Sequence, residues 1–338
     1  MLDTRTPATA PGKTVPYVLR AGDGRCLYVA GQLIRLLAGT EDTAGGFGAV
    51  VCDATQDRQP IPLHYHAREH DTWFCTRGRL RIWYQSESRV LTPGDFAYVK
   101  PEDVHSYQSV APRTQFFGVV APGGWEGFFR EAGEEWSHPG LPAANHPFDF
   151  SRLGRSMAVY RVMRAEQATF ADVSNGDATD RVIPSTASSY VLQAGHGIRS
   201  ILNGHLSTTV LTRDVSDSRL DMRTIEAGRG AQMPPVRHCD THVMLYVVEG
   251  VLQLTLDGTA HVLTSGDCAN IPAGVGYATE VQSGQALWLL TGANGAGLTF
   301  WDTAGTPAPE FTFPNEADLP ACAAALRGGG CVDVTLVD

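Results

Sequence analysis

Hydrophobic and polar residues alternate over short stretches, LRIWYQ at 80–85 and LQLTLDG at 252–258 among them, and the stretches end at Gly, Asp, Asn or Pro. Period-two alternation over four to eight residues marks strands with one buried face. Many such strands cut by turns predict an all-β chain of the sandwich or jelly-roll barrel kind. Helical spacing surfaces in only three places. The stretch GWEGFFREAGEEW begins at Gly124, and PFDFSRLGRSMAVYRVMRAEQ follows it, with Leu153, Met157, Tyr160 and Met163 at helical intervals and Ser151 as N-cap. The tail NEADLPACAAALR predicts one more short helix.

The strand pattern is written twice. YVLRAGDG at 17–24 returns as YVLQAGHG at 190–197. From there the echo holds an offset of 172 residues: RGRLRIWY matches EGVLQLTL, setting Gly78 against Gly250, and GDFAYVKPEDVH matches GDCANIPAGVGY, setting Gly94 against Gly266. A shared register of this length predicts a duplicated unit. The expected divisions are a loose tail over 1–14, a first barrel over 15–145, a helical and loop connector over 146–188, a second barrel over 189–310 and a tail over 311–338.

Composition narrows the function classes. The chain has 338 residues, enough for two ordinary cores. Its 26 basic residues stand against 36 acidic ones, for a net charge of -10, with no Lys/Arg-rich run to meet a phosphate backbone. A nucleic-acid partner is therefore not expected. No stretch approaches the roughly 18 apolar residues of a membrane span, and MLDTRTPATAPGK has no apolar h-region, so a soluble, cytoplasmic protein is expected. The seven cysteines are scattered and never spaced as CxxC, which suits free thiols; Cys322 and Cys331 form the one plausible bridge.

Candidate chemistry concentrates in PLHYHAREHDTWFCTRG. His64 and His66 are two apart in a predicted strand and so share a face. Asp71 follows on the next strand, and His105 closes GDFAYVKPEDVH. Three neutral imidazoles and a carboxylate suit one divalent Cu, Fe, Mn, Ni or Zn ion without choosing among them. Asp71, Trp73 and Cys75 alternate along one strand, and Tyr107 lies two residues beyond His105, so Trp73, Cys75 and Tyr107 are the candidate substrate contacts. Tyr84 and Trp125 are weaker candidates. In the second copy the aligned positions are Val236, His238, Val243 and Tyr277. One imidazole cannot hold a mononuclear ion, so that site is expected to be empty, with His242 adjacent but lacking companions.

HxH, four residues, a carboxylate, six residues and Gly resembles the first cupin motif, here His64, His66, Asp71 and Gly78. Gly-Asp, a strand and a Pro-containing turn ending in His resembles the second, here Gly94, Asp95, Pro101 and His105. The duplicated layout with APGGWEGFF closing the first half is similar to the quercetin 2,3-dioxygenase family of bicupins. That resemblance implies two tandem cupin barrels and one metal ion held by His64, His66, Asp71 and His105. Asp71 would be the base that takes the proton of a flavonol or related phenolic enol, and dioxygen then cleaves the ring with release of carbon monoxide. The partners implied are a small aromatic substrate and dioxygen, and edge strands allow a homodimer.

Two departures bear on that inference. The family carboxylate is usually Glu, one methylene longer than Asp71, which raises Glu69 and His70 as substitutes, and Lys100 stands where Pro is common. Two other functions remain open: metal-assisted isomerisation or cyclisation of a polyketide or flavonoid without dioxygen, and non-enzymatic small-molecule binding.

Overall fold

A computed structural model describes residues 8–55, 59–143, 145–314, 317–328 and 331–337. The first seven residues of the predicted N-terminal tail, and Asn315 and Glu316 of the predicted C-terminal helix, lie outside the described residues. Contacts divide the chain into two compact units, one of residues 1–12, 23–41 and 47–196, the other of residues 13–22, 42–46 and 197–338. The chain is an all-β fold with a few short helices, and each unit pairs an eight-stranded sheet with a five-stranded one, as expected of a jelly roll.

In the first unit the large sheet runs in the order Glu134–Glu135, Arg25–Val29, Gln32–Ala38, Gly48–Ala54, Thr114–Ala121, His70–Arg77, Phe96–Val99 and Tyr190–Leu192. The small sheet runs Met163–Arg164, His64–Tyr65, His105–Ser109, Leu80–Tyr84 and Glu87–Leu91. The inward faces of both meet in one hydrophobic core that includes Ile34, Val50, Cys75, Ile82, Ala97 and Phe116. In the second unit Val251–Leu256 shows the predicted alternation, every second residue buried. Its counterpart Leu80–Tyr84 breaks that rhythm, because the connector covers the outer face: Trp83 Nε1 donates to the Ala171 carbonyl at 2.8 Å and its ring packs 5.0 Å from Phe170.

The two YVL segments have exchanged units. Tyr190–Leu192, which opens the second copy in sequence, is the outermost strand of the first unit's large sheet, where Val191 joins the core. Tyr17–Leu19 holds the same place in the second unit, with Val18 against that core. Antiparallel pairing of a short apolar strand needs only a free edge, so the repeated text does not say which copy it completes.

The helices fall near their predicted places, at Glu126–Ala132, Phe150–Val159 and Leu319–Arg327. The cap of the second is Asp149, two residues before Ser151: its side chain accepts from the Ser151 amide at 2.9 Å. Leu153, Met157 and Tyr160 pack on the first core as their spacing predicts, but Met163 has left the helix for a strand and is exposed. None of the seven cysteines, all of them among the described residues, is in a disulfide, Cys322 and Cys331 included. Among the described residues, no helix is long and apolar enough to cross a membrane.

Candidate metal centre and its cavity

His64 lies directly opposite His105 in the small sheet. Opposed residues of an antiparallel pair project to the same face, and the two imidazole centroids are 4.4 Å apart. The His66 ring stands 5.1 Å from each of them. The turn that aims His105 is pinned from several sides: Asp103 Oδ2 accepts from Ser189 Oγ at 2.6 Å and Gln85 Nε2 at 2.8 Å, and Lys100 Nζ lies 3.1 Å from its other oxygen. Lys100 therefore braces this turn where a Pro would have stiffened it.

Hydrogen bonds decide which nitrogens face inward. His64 Nδ1 is 2.8 Å from the Pro62 carbonyl oxygen, and His105 Nδ1 is 2.9 Å from that of Asp103. A carbonyl only accepts, so each ring carries a hydrogen on Nδ1, and in the ligating form it presents a bare Nε2 lone pair. Asp71 enters from the large sheet, its Oδ2 3.2 Å from His66 Nε2 and 3.1 Å from His105 Nε2. Despite that proximity His105 Nε2 is buried without a hydrogen bond, as is His66 Nδ1. An unprotonated nitrogen facing a carboxylate at this distance is repulsive unless a cation lies between them.

The electrostatics agree. Burial, reinforced by the neighbouring His105 and His66, pushes His64 well below the ordinary imidazole range and keeps it neutral, the ligating form. Burial would raise the Asp71 carboxyl, but positive charge at His66 and His105 outweighs it and holds the group well below the usual carboxylate range; with the rings neutral, a cation between them and the carboxylate takes that part. The imidazole donor atoms all lie within 4.8 Å of one another; bonds of roughly 2 Å to one ion would draw them to within about 4 Å. Among the described residues this is the one group of three or more metal-type side chains; the carboxylate flanks it, in keeping with the shorter reach of Asp. The three-histidine site suggests a metal ion.

The site opens into a cavity of about 480 Å³. Trp73, Tyr107 and Trp125 line it with Asp71 and the three histidines. Trp125 meets His66 edge-on at 4.2 Å and stacks on Phe128 at 4.6 Å; Trp73 is 5.7 Å from His105. Cys75 is not brought here. It shares the face of Asp71 and Trp73 but lies two rungs deeper, in the core, its thiol donating to the Arg77 carbonyl and pushed up to about 12, chiefly by burial. Tyr84 is buried elsewhere with its hydroxyl on Glu87. Glu69 pairs with Arg68, and His70 Nδ1 bonds Tyr98 Oη at 2.7 Å on the opposite face of the strand, so neither replaces Asp71. Sequence reasoning did not reach Gln32, Phe116, Leu153, Met157 or Arg164, which also line the cavity. Arg164 stands opposite His64 in the sheet.

The second unit repeats the framework without the donors. Val236 opposes Tyr277 as His64 opposes His105. His238 Nε2 is 3.2 Å from the Tyr277 hydroxyl, and His242 bonds Asn270 at 2.8 Å, the equivalent of His70 with Tyr98.

The cupin domain family matches residues 55–114 and 223–291, one match in each half. The chain folds as two tandem cupin domains. It is 33% identical over 143 residues to quercetin 2,3-dioxygenase of Bacillus subtilis (strain 168), a match spanning 42% of each chain. It is 25% identical over 322 residues to quercetin 2,3-dioxygenase of Aspergillus japonicus, covering 85% of this chain and 91% of that one. Its family resemblance is thus to the quercetinase-like bicupins. Among solved structures, a salicylate 1,2-dioxygenase from Pseudaminobacter salicylatoxidans superposes with TM-score 0.58 at 12% identity, covering 86% of this chain and 87% of its own. The 11S globulin procruciferin from Brassica napus reaches 0.55 at 11%, covering 83% and 85%. A fold shared equally by a dioxygenase and a globulin leaves the reaction to be argued from the site.

If the donor set holds an ion, binding must stabilise the fold. A divalent transition ion at 100 times its dissociation constant is expected to add about 2.7 kcal/mol, read as a raised melting temperature. An unchanged melting curve with every such ion would contradict the reading.

Proposed function

We propose that this bicupin is a metal-dependent dioxygenase of a flavonol or related phenolic enol, with His64, His66 and His105 as ligands and Asp71 as base. The observation that carries the proposal is the meeting of two imidazole nitrogens with the Asp71 carboxylate at 3.1–3.2 Å, at the wall of an aromatic-lined cavity. The names of the Bacillus and Aspergillus relatives support the substrate class. A volume of about 480 Å³ falls in the range that takes a drug-sized ligand, and Trp73, Phe116, Trp125 and Phe128 offer faces and edges against which a flat ring system packs.

When bound, the ion supplies a Lewis-acidic centre for an anionic oxygen and for dioxygen chemistry. The protein does the rest. Asp71, ionised throughout the neutral range, accepts the proton of the enol hydroxyl at Oδ2. Leu153 and Met157 from the connector helix, with the aromatic wall, keep bulk water from the resulting enolate. Trp73 and Trp125, edge-on to His105 and His66, hold the rings against rotation.

The test is an oxygen-electrode trace with quercetin on metal-loaded protein, with carbon monoxide measured in the headspace. Oxygen uptake matched by carbon monoxide is expected. Conversion of the flavonol in anaerobic buffer, or no conversion with any of Cu, Fe, Mn, Ni and Zn, would contradict it.

A further inference from the structure

Gln32 lies on the wall of the same cavity, on the strand Gln32–Ala38 of the large sheet. It is only 6% exposed. Its Oε1 receives two donors, the Tyr107 hydroxyl at 2.7 Å and the Cys52 thiol at 3.2 Å. These bonds set the orientation of the amide, because the reverse orientation would turn an NH2 group toward a thiol, a weak acceptor. The Nε2 group, with two hydrogens to donate, has no protein partner among the described residues. The surrounding lining is largely apolar, with Val29, Ile34, Val50 and Phe116 beside it. A donor open to the cavity on an apolar wall is met only by water or by a ligand that brings an acceptor.

Position says which part of a ligand it would meet. Tyr107 is two residues beyond His105 on one strand, a rise of about 7 Å, and Gln32 lies at the far end of the Tyr107 side chain. The candidate metal centre and Gln32 are thus separated by the Trp73 and Tyr107 rings, whose centroids are 6.2 Å apart. We infer that Gln32 determines specificity: its carboxamide donates a hydrogen bond to an acceptor oxygen, a hydroxyl or carbonyl, on the end of a planar aromatic substrate remote from the group directed at the three histidines. Tyr107 and Cys52 are positioning residues that fix the amide. The inference rests on the flavonol reading for its choice of ligand, but its test does not depend on turnover.

Quenching of cavity tryptophan fluorescence is measured without oxygen for two ligands sharing one head group, quercetin with hydroxyls on both outer rings and 3-hydroxyflavone with none. Gln32→Met keeps length and removes the amide. In that variant quercetin affinity is expected to fall roughly five- to tenfold, the worth of one neutral hydrogen bond, while 3-hydroxyflavone binds as to wild type. That second ligand also reports on whether the variant is folded. Equal losses for both ligands would assign Gln32 a structural role, and equal retention, or no binding of either by wild type, would likewise overturn the inference. Intact discrimination in a wild-type protein that takes up no oxygen would sink the oxygenase reading alone.

Discussion

Asp71→Asn is expected to lower kcat for a flavonol by about 10²- to 10⁴-fold, the range over which a positioned base contributes, with metal-loaded protein assayed at saturating substrate. Asparagine keeps the shape of the side chain and an oxygen near His66 and His105, but it cannot take a proton. Positive charge beside it, on those two imidazoles or on the ion they would hold, keeps the Asp71 carboxyl ionised against the effect of burial, so the wild-type protein presents an acceptor over the neutral range. Asp71→Glu restores an ionisable group, one methylene longer, and is expected to retain far more turnover than Asn. Wild-type kcat in the Asn variant would remove Asp71 from the chemistry.

Gly78→Ala is expected to destabilise the first unit by roughly 2–5 kcal/mol, combining a left-handed backbone penalty with overpacking. Gly78 has φ +78°, and a Cβ there would lie 2.6 Å from Thr114 Oγ1 and 2.7 Å from Thr114 Cα. Thr114 cannot yield, since its hydroxyl is tied to the carbonyls of Ala111 and Arg79 and to the Arg79 amide. At 2–4 °C per kcal/mol for a unit of this size, the melting temperature should drop by roughly 4–20 °C. A shift under about 1 °C would show that the turn relaxes freely. The same substitution should leave metal content unchanged in protein that has folded.

Gly78 also shows why part of this protein was legible. Its counterpart Gly250 has φ +85° and a virtual Cβ 2.4 Å from the Gln285 carbonyl oxygen, so the glycine is retained in the copy that has lost three of the four donor-type residues. The motif therefore mixes two demands, a turn that the barrel needs in both units and donors present only in the first. Comparing the copies separates them, and the pairing of Val236 with Tyr277 in the register of His64 with His105 shows that the 172-residue offset was structural.

What escaped the sequence is what period and spacing do not encode. Alternation put Cys75 on the face of Asp71 and Trp73 but could not give its depth, and the cavity ends before it. Gln32, Leu153 and Met157 reach the cavity from segments far from the motif, through tertiary packing with no local signature. Trp125 ranked low for the same reason, yet it touches His66. Exchange of the two YVL strands is invisible because both copies carry the same text.

Three imidazoles of the first unit gripping one ion are the centre of the proposed chemistry. The most direct measurement is elemental analysis of purified protein after loading and desalting, for wild type, for His66→Ala and His105→Ala, and for His238→Ala in the second unit. Wild type and His238→Ala should retain close to one transition ion per chain, and the first-unit variants almost none. Equal metal content in all four proteins would contradict the assignment.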